Sequence, residues 1–376
     1  MEVGWMNHEK YMEFALILAR QAKGQTSPNP SVGAVVVNNG EIVGFGAHLK
    51  AGDAHAEVLA LHMAGDKAND GTIYVTLEPC SHYGRTAPCA DLLIEKNIKH
   101  VVIACLDPHE RVAGKGIEKL RQAGVKVDVG ILEKEAMELN GDFFHYIKMK
   151  QPYVTVKTAT SLDGKIATVT GESQWITGED ARLDVHRYRD QHDGILVGIN
   201  TIIADNPSLT TRLPEGGRNP IRIVLDTTLR IPMNSKVIRD GEAETWIFIG
   251  KNVSEERKFR FKEIDQVRII QLDEDEIQVP TVLDVLGKEN IMSLFVEGGA
   301  EINGSFLKSR RINQVITYIS PKLIGGRKAP TSFAGEGISV LNESISLRIK
   351  YMDRLGEDIK MVAELHEGDK DVYGNN

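Results

Sequence analysis

Short apolar runs alternate with amphipathic stretches along almost the whole chain, and this alternation most limits the folds open to it. Runs such as TIYVTLE and HVVIACLD predict strands. One helix is predicted before the first run, from about His55 to Met63, and another between the two runs, from Cys89 to Lys96. Alternating strands and helices are typical of an α/β layer with helices on both faces of a sheet. Because 376 residues exceed what a single core usually supports, two such layers are predicted.

The dipeptide Gln151-Pro152 separates two series of elements. Before it, an amphipathic helix carrying Tyr11 and Phe14 precedes a hairpin that turns at Asn39-Gly40, and EKEAMELNGDFFHYIKMK predicts one closing helix. After it, a new series begins at YVTVKTA. Its further predicted strands are GILVG, IRIVLD, ETWIFIG, QVRIIQL, SLFVEGG and QVITYIS, and its predicted helices lie near Glu179 to Gln191, Thr281 to Lys288 and Glu301 to Arg310. Two α/β domains, 1–150 and 151–376, are therefore predicted.

Composition excludes several classes of protein. The chain is 41% hydrophobic and 26% charged, which is ordinary for a globular protein, and its net charge of -8 argues against an extended nucleic-acid surface. No run approaches the ~20 apolar residues of a membrane span, and the charged start MEVGWMNHEKYMEF is unlike a signal peptide. Three cysteines are too few for a disulfide framework. We expect a cytoplasmic protein with small-molecule partners, neither membrane nor nucleic acid.

The first half carries the pattern of a catalytic zinc site. His55 lies in DAHAEVLALH, Cys80 follows a predicted strand, and Cys89 opens a predicted helix. Zinc takes imidazole and thiolate ligands, and three protein ligands leave its fourth position open for chemistry. Such an ion lowers the pKa of water from about 16 to roughly 7. Glu57, two residues after the histidine, is placed to move protons during hydrolytic removal of an amino group from a ring.

Other interpretations of these cysteines stay open at this stage. Cys80 and Cys89 could instead form a disulfide or be two core thiols. Zinc deaminases have the pattern H-x-E…P-C-x-x-C, and here the eight residues SHYGRTAP replace the usual two. A structural zinc normally has four ligands, and His82 could supply the fourth. Cys105 lies within an apolar strand and is expected to be a core thiol.

The motifs HAE, TLEPCSHYGRTAPC and TSPNPSVGAVVV closely resemble the deaminase half of the bifunctional riboflavin-biosynthesis deaminase/reductase. The resemblance implies a cytidine-deaminase-like three-layer α/β/α fold that binds one zinc ion. It implies a diaminopyrimidinone substrate that carries a ribosylamino 5′-phosphate. Asn29 would then hydrogen-bond the ring, and His82 and Arg85 would lie near the ribose phosphate. A guanidinium suits a phosphate, although Arg85 could equally be a solvated loop charge.

The second half contains a weaker signal. FVEGGAEINGSF predicts a strand that ends in Gly298-Gly299 and leads into a helix, where backbone N–H groups can meet a phosphate. The pattern is not GxGxxG, so by itself it is compatible with a nucleotide site or with a tight strand–helix turn.

Together with VKTATSLDGKIA, GESQWITGED and ADNPSLTTRLP, this segment resembles the reductase half of the same bifunctional family, whose α/β fold is like that of dihydrofolate reductase. The resemblance implies that NADPH delivers hydride to the ribosyl carbon after deamination. It implies cofactor contacts from Ala159, Trp175, Thr201, Asp205, Gly299, Ala300, Glu301, Ile302, Asn303, Gly304 and Ser305. It implies substrate contacts from Lys157, Ser173, Arg189, Leu209, Arg212 and Glu297.

Each of these positions also has a purely structural interpretation. Trp175 could be a core residue, Arg189 could lie on the polar face of its helix, and Asp205 could belong to a turn. For the whole chain, a nucleic-acid base deaminase with an accessory domain and a binding protein with a structural zinc are the competing functions. The family resemblance also implies a homo-oligomer, either a dimer or a tetramer.

Overall fold

A computed structural model describes residues 2–81, 87–109 and 113–365, with side chains from residue 8 onward. Contacts divide the chain into two compact units, Met1–Lys150 and Gln151–Asn376. Each unit is built around its own β-sheet. Among the described residues, no helix is both long enough and apolar enough to cross a membrane.

The first unit has a five-stranded sheet with the strand order β2-β1-β3-β4-β5. Its strands are β1 (Gly33–Asn38), β2 (Glu41–Ala47), β3 (Thr72–Leu77), β4 (His100–Cys105) and β5 (Lys126–Val129). Its helices are α1 (Glu2–Gln21), α2 (Ala56–Ala64), α3 (Cys89–Glu95), α4 (Lys115–Gln122), α5 (Glu133–Leu139) and α6 (Gly141–Met149). Strands β3, β4 and β5 run parallel, whereas β1 is antiparallel to both of its neighbours.

This sheet lies between two helical layers because alternate residues of a strand point to opposite faces. Ile73 and Val75 pack in one apolar core with α2, α3 and α4, whereas Tyr74 between them packs in a second core with α1 and α5. The predicted hairpin turn is confirmed, since Asn39 and Gly40 have φ of 51° and 81° and join paired strands. The three-layer α/β/α prediction is therefore confirmed.

The prediction of one closing helix before Gln151 is wrong, because the helix is interrupted at Asn140. The Asn140 side chain is buried and pairs with the backbone of Ser31: its Oδ1 accepts from the Ser31 N–H at 2.8 Å and its Nδ2 donates to the Ser31 oxygen at 2.9 Å. Asn140 itself adopts φ of -107°, outside the helical range, so α5 and α6 are separate helices.

The second unit has a nine-stranded sheet with the order β10-β9-β8-β7-β11-β6-β12-β14-β13. Its strands are β6 (Tyr153–Ser161), β7 (Gly194–Gly198), β8 (Ile221–Leu225), β9 (Thr245–Ile249), β10 (Val267–Gln271), β11 (Ser293–Gly298), β12 (Gln314–Ser320), β13 (Leu347–Leu355) and β14 (Asp358–Leu365). Its helices are α7 (Glu179–Gln191), α8 (Ile199–Asp205), α9 (Lys236–Arg239), α10 (Glu255–Phe259), α11 (Val279–Lys288) and α12 (Ala300–Lys308). Strands β6 to β12 are mutually parallel where they pair, and both faces of the sheet are covered by apolar cores.

The closing hairpin, β13 and β14, is absent from the sequence prediction. In β13 most side chains on both faces are exposed, including Ile349 and Met352. The run LRIKY at the start of β13 alternates apolar and polar residues, and this alternation was the available sequence signal for a strand.

Candidate active sites

Three predicted ligand residues of the first unit converge at the carboxyl end of β3. His55 immediately precedes α2, Cys80 follows β3 by three residues, and Cys89 is the first residue of α3. The His55 Nδ1 atom lies 3.3 Å from the Cys89 sulfur and 3.7 Å from the Cys80 sulfur. The backbone N–H of Cys89 also donates to the Cys80 sulfur at 3.3 Å. Three separate elements therefore deliver one nitrogen and two sulfurs to one point.

This donor set fits a zinc ion, for which imidazole and thiolate are the usual ligands. The His55, Cys80 and Cys89 ligand atoms all lie within 4.8 Å of one another. Both cysteines are free rather than bridged, so the disulfide interpretation does not hold. Cys105 is buried within β4 and donates to the Thr76 backbone oxygen, as expected of a core thiol.

The two thiols differ sharply in acidity. A hydrogen bond from Cys89 and the nearby His55 lower the pKa of Cys80 to about 4, although burial acts in the opposite direction. The same hydrogen bond, together with burial, raises the pKa of Cys89. The hydrogen bond between the two thiols therefore favours the charged form of Cys80 over that of Cys89.

Glu57 lies inside α2, next to these ligands, and its side chain is buried. Burial, with a further contribution from the negative charge of Cys80, raises the pKa of Glu57. A raised pKa makes a carboxylate a better proton acceptor, as general acid–base catalysis requires. Glu57 is the one buried carboxyl residue in the described part of α2.

Asn29 connects to this site through a histidine that the sequence analysis did not identify. The Asn29 Nδ2 atom lies 3.1 Å from His48 Nε2, and the His48 ring packs edge-on against the His55 ring at 5.4 Å between centroids. His48 is buried, and its Nδ1 atom lies 3.2 Å from the Ala54 oxygen. The sequence signal that could have identified His48 was its position as a polar residue directly after β2. His82 and Arg85 lie outside the described residues.

In the second unit, two predicted substrate residues form a close ion pair. Arg189 on α7 makes a bidentate contact with Glu297 on β11, with Nε–Oε1 and Nη2–Oε2 distances of 2.6 and 2.9 Å. Its third contact is from Nη1 to the Thr210 oxygen at 2.9 Å. Both paired side chains are only 11% exposed, so Arg189 does not lie on a solvated helix face.

Burial and nearby charges shift the pKa values of Glu297 and of the groups around the pair. Burial alone would raise the pKa of Glu297, but Arg189 and Lys157 lower it to about 2. Burial lowers the pKa of Lys157, which Glu297 partly offsets. Burial and the nearby charges of Arg189 and Arg212 lower the pKa of His186 to about 4, so its ring is neutral at pH 7. Glu297 is therefore an anion surrounded by cationic groups.

Arg212 and Leu209 lie on the segment after α8. The Arg212 N–H donates to His186 Nδ1 at 3.2 Å, and its Nη1 donates to the Thr210 hydroxyl at 3.3 Å. Leu209 is buried, whereas Asp205, at the end of α8, is exposed. The structure thus gathers Lys157, Arg189, Arg212 and Glu297, with His186 as a member that the sequence analysis missed.

The glycine turn after β11 is built as the sequence suggests. Gly298 has φ of 84°, which favours glycine, and the Gly299 N–H donates to the Thr201 hydroxyl at 3.4 Å. Within the following helix, Asn303 Nδ2 donates to the Ser332 oxygen at 2.9 Å, and a Cβ at Gly304 would lie 2.1 Å from the Ala334 oxygen. Asn303 and Gly304 therefore pack against the segment 332–334, and Ala300, Glu301, Ile302 and Ser305 are at least partly exposed.

Trp175 is 63% exposed, so the interpretation of Trp175 as a core residue is wrong. The Arg182 guanidinium lies over its ring at 4.7 Å, and Lys322 donates to the backbone oxygens of Trp175 and Ile176 at 2.9 and 2.7 Å. Lys322, two residues after β12, is a second contact that the sequence analysis missed. Ser173 is half-buried, as is Ala159 on β6.

Two family models match this chain, one in each of its two units. The family model described as the RibD C-terminal domain matches residues 152–361. The model described as the cytidine and deoxycytidylate deaminase zinc-binding region matches residues 6–105. His55, Cys80 and Cys89 all lie within the residues that this zinc-binding model matches.

Similar full-length proteins are curated as riboflavin biosynthesis protein RibD. The protein of Bacillus amyloliquefaciens is 48% identical over 98% of this chain and 99% of its own length. The protein of Aquifex aeolicus is 46% identical over 93% of this chain and 96% of its own.

A crystal structure from Thermotoga maritima, described as a diaminohydroxyphosphoribosylaminopyrimidine deaminase/5-amino-6-(5-phosphoribosylamino)uracil reductase, has a TM-score of 0.86 with 34% identity over 96% of this chain and 100% of that one. Acinetobacter baumannii RibD has a TM-score of 0.85 with 36% identity and the same coverage. The chain therefore belongs to the RibD family of riboflavin biosynthesis proteins.

Proposed function

We propose that this protein catalyses two successive steps of riboflavin biosynthesis. Residues 1–150 would form a zinc-dependent pyrimidine deaminase domain that acts on a diaminopyrimidinone bearing a ribosylamino 5′-phosphate. Residues 151–376 would form an NADPH-dependent reductase domain that converts the ribosyl group of the deaminated product to ribityl. The convergence of His55, Cys80 and Cys89 beside the buried Glu57 is the observation that carries the proposal.

At the first site, His55, Cys80 and Cys89 would hold zinc. A zinc ion supplies Lewis acidity that makes water a better nucleophile near neutral pH. Glu57 takes the proton of that water and returns it to the departing amine, since its pKa is raised and its side chain is shielded from solvent. Asn29, fixed by His48, presents its amide to the pyrimidine ring. His82 and Arg85 remain proposed contacts to the ribose phosphate.

At the second site, a reduced nicotinamide supplies the hydride, and the chain has to bind and align the sugar. Arg189 and Arg212 offer guanidinium groups to the 5′-phosphate, and Glu297 accepts hydrogen bonds from sugar hydroxyls. Lys157 lies close enough to affect Glu297 electrostatically and stands on the same sheet. Ser173 and Leu209 would complete the substrate contacts.

The cofactor is proposed to lie along the turn after β11. Gly299 and the exposed residues at the start of α12 present backbone N–H groups, which suit a pyrophosphate. Thr201 supports that turn through its hydroxyl, and the exposed Trp175 offers a flat apolar surface. Ala159, Asp205 and the rest of the segment 299–305 remain proposed cofactor contacts. Assembly of the chain as a dimer or tetramer remains part of the proposal.

The relatives that span the whole chain are riboflavin biosynthesis proteins, so the comparisons do not favour a nucleic-acid base deaminase.

The decisive experiment incubates the purified protein with the diaminopyrimidinone phosphate, with and without NADPH. We expect ammonia release without NADPH, and NADPH oxidation only after deamination. A chelator should stop ammonia release while sparing reduction of pre-formed deaminated substrate. Deamination of an oligonucleotide but not of the free pyrimidine would contradict the proposal.

A further inference from the structure

A second group of metal-binding side chains lies at the opposite end of the first sheet. His100 opens β4, Asp128 lies on β5, and His8 projects from α1. Their ligand atoms lie within 4.8 Å of one another. Because His100 pairs with Thr72 at the start of β3, this group is about five residues, or ~16 Å, from the strand end that leads to Cys80. It is separate from the catalytic ligands.

Strand register explains why these residues meet. Asp128 pairs with Val102, which pairs with Tyr74, so these three residues share one face of the sheet. His100 lies two residues before Val102 and therefore points to the same face. That face is covered by α1, from which His8 reaches the sheet: its ring meets the His100 ring edge-on at 5.5 Å between centroids.

The donor set is chemically selective. Two imidazoles and one carboxylate suit borderline divalent ions such as zinc and cobalt, whereas magnesium and calcium prefer sets made of oxygen alone. His8 Nδ1 lies 2.8 Å from the Tyr74 hydroxyl. A metal-binding histidine usually donates its second N–H to such a partner, which leaves the other nitrogen free for the ion. Tyr74 would therefore orient His8 with Nε2 toward the ion.

Two contacts compete with an ion at this position. His100 Nε2 lies 2.8 Å from Asp128 Oδ2, and the ammonium of Lys126 lies 3.1 Å from the same oxygen. The Lys126 side chain is 65% exposed and can move into solvent. The three ligand atoms lie within 4.8 Å of one another, and side-chain rotation has to bring each of them to about 2.0–2.2 Å from a bound zinc ion.

We propose that His8, His100 and Asp128 form a second divalent-metal site, which fastens α1 to β4 and β5 in this chain. The site takes a borderline ion with nitrogen and oxygen ligands. Water completes its coordination because the protein supplies only three ligands from these described residues. Binding stabilises the folded first unit, since an unfolded chain does not hold the three groups together.

The test starts from full-length protein that holds a single equivalent of zinc per chain, titrates it with cobalt(II), and counts bound cobalt and zinc by dialysis and atomic emission. We expect one additional equivalent of metal per chain and a higher melting temperature, with zinc content and ammonia release unchanged. The added cobalt should lack the sulfur-to-cobalt charge-transfer absorption that cobalt at the Cys80–Cys89 site would show. Failure of the proposed deaminase function would be seen in ammonia release and would leave this count unaffected.

The variants make the assignment specific. His100→Gln and His8→Gln should each weaken cobalt binding at least tenfold, whereas the exposed His62→Gln should not change it. Lys126→Ala should tighten binding several-fold because it removes a competing cation. If His100→Gln does not fold, His8→Gln decides the question. Absence of the added equivalent in the parent protein, or its persistence in both His8→Gln and His100→Gln, would overturn the proposal.

Discussion

At the scale of single residues, burial changes what a carboxyl group can do. Glu57 is buried and Glu297 is largely buried, yet their pKa values move in opposite directions. Glu57 lies beside a thiolate, which adds to the effect of burial and favours the protonated form. Glu297 lies beside Arg189 and Lys157, which outweigh burial and favour the anion. The neighbours therefore make one glutamate suitable for proton transfer and the other for binding.

Glu57→Gln should retain zinc and fold but lose about 10²–10⁴-fold in the rate of ammonia release, because general acid–base catalysis contributes about that much. The measurement is ammonia release by parent and variant at equal zinc content. The exposed carboxylate of Asp53, two residues before His55, provides a control, and Asp53→Asn should keep the parent rate. Unchanged activity, or loss of zinc, in Glu57→Gln would contradict the catalytic role.

Glu297→Gln should flatten the pH dependence of stability. Its pKa is about 2 in the folded protein against an ordinary 4.5, so its ionisation contributes stability above about pH 4.5 that is lost as the pH falls toward 2. That shift corresponds to about 3 kcal/mol at full effect. Urea unfolding between about pH 5 and pH 3 measures the slope. The exposed Glu276→Gln should keep the parent slope, and an equal slope in Glu297→Gln would disprove the effect.

At the scale of elements, α12 packs closely against the segment 332–334 because Gly304 has no side chain. A Cβ at Gly304 would lie 2.1 Å from the Ala334 oxygen, and the Ala334 N–H donates to the oxygen of Ala300, directly after the Gly298-Gly299 turn, at 3.0 Å. The proposed cofactor segment therefore depends on close packing of a helix against the segment 332–334. Close packing of this kind is sensitive to added volume.

Gly304→Ala should destabilise the second unit by about 1–3 kcal/mol, the usual cost of overpacking. It should weaken NADPH binding, measured by fluorescence titration, while ammonia release by the first unit stays at the parent rate. The matched control is Gly141→Ala, where a Cβ meets no atom within 4 Å. Parent-like NADPH affinity and stability in Gly304→Ala would show that the helix tolerates the change.

At the scale of the whole molecule, each unit encloses its own apolar cores. The cores of the first unit contain only residues before position 150, and those of the second contain only residues after it. A unit with complete cores has the main requirement for folding alone.

The isolated fragment 1–150, expressed with zinc, should unfold cooperatively and release ammonia from the diaminopyrimidinone phosphate without NADPH. Calorimetry and the ammonia assay test the two statements, with the full-length protein as reference. It should show no NADPH oxidation. A fragment that folds and binds zinc yet releases no ammonia would show that the first site needs residues beyond position 150.

Local patterns were enough to predict much of this protein. Apolar alternation predicted most strands and helices, and α7 has the predicted limits Glu179–Gln191. The His55, Cys80 and Cys89 set was predictable because zinc ligands are few in type and their spacing follows the ends of elements. The interruption at Asn140 was not predictable, because it depends on the backbone of Ser31, 109 residues away.

The sequence by itself determined the two α/β units, the family and the metal-binding donor set, since these depend on residue type and order along the chain. Only the tertiary structure decided which polar residues meet. Arg189 pairs with Glu297, and His48 contacts Asn29, across separate elements. His186 is neutral because of burial and of the charges on Arg189 and Arg212. Their roles depend on distance and burial, and neither quantity is a local property of sequence. The same reason hid the group of His8, His100 and Asp128, which lie far apart in the chain and meet only through strand register.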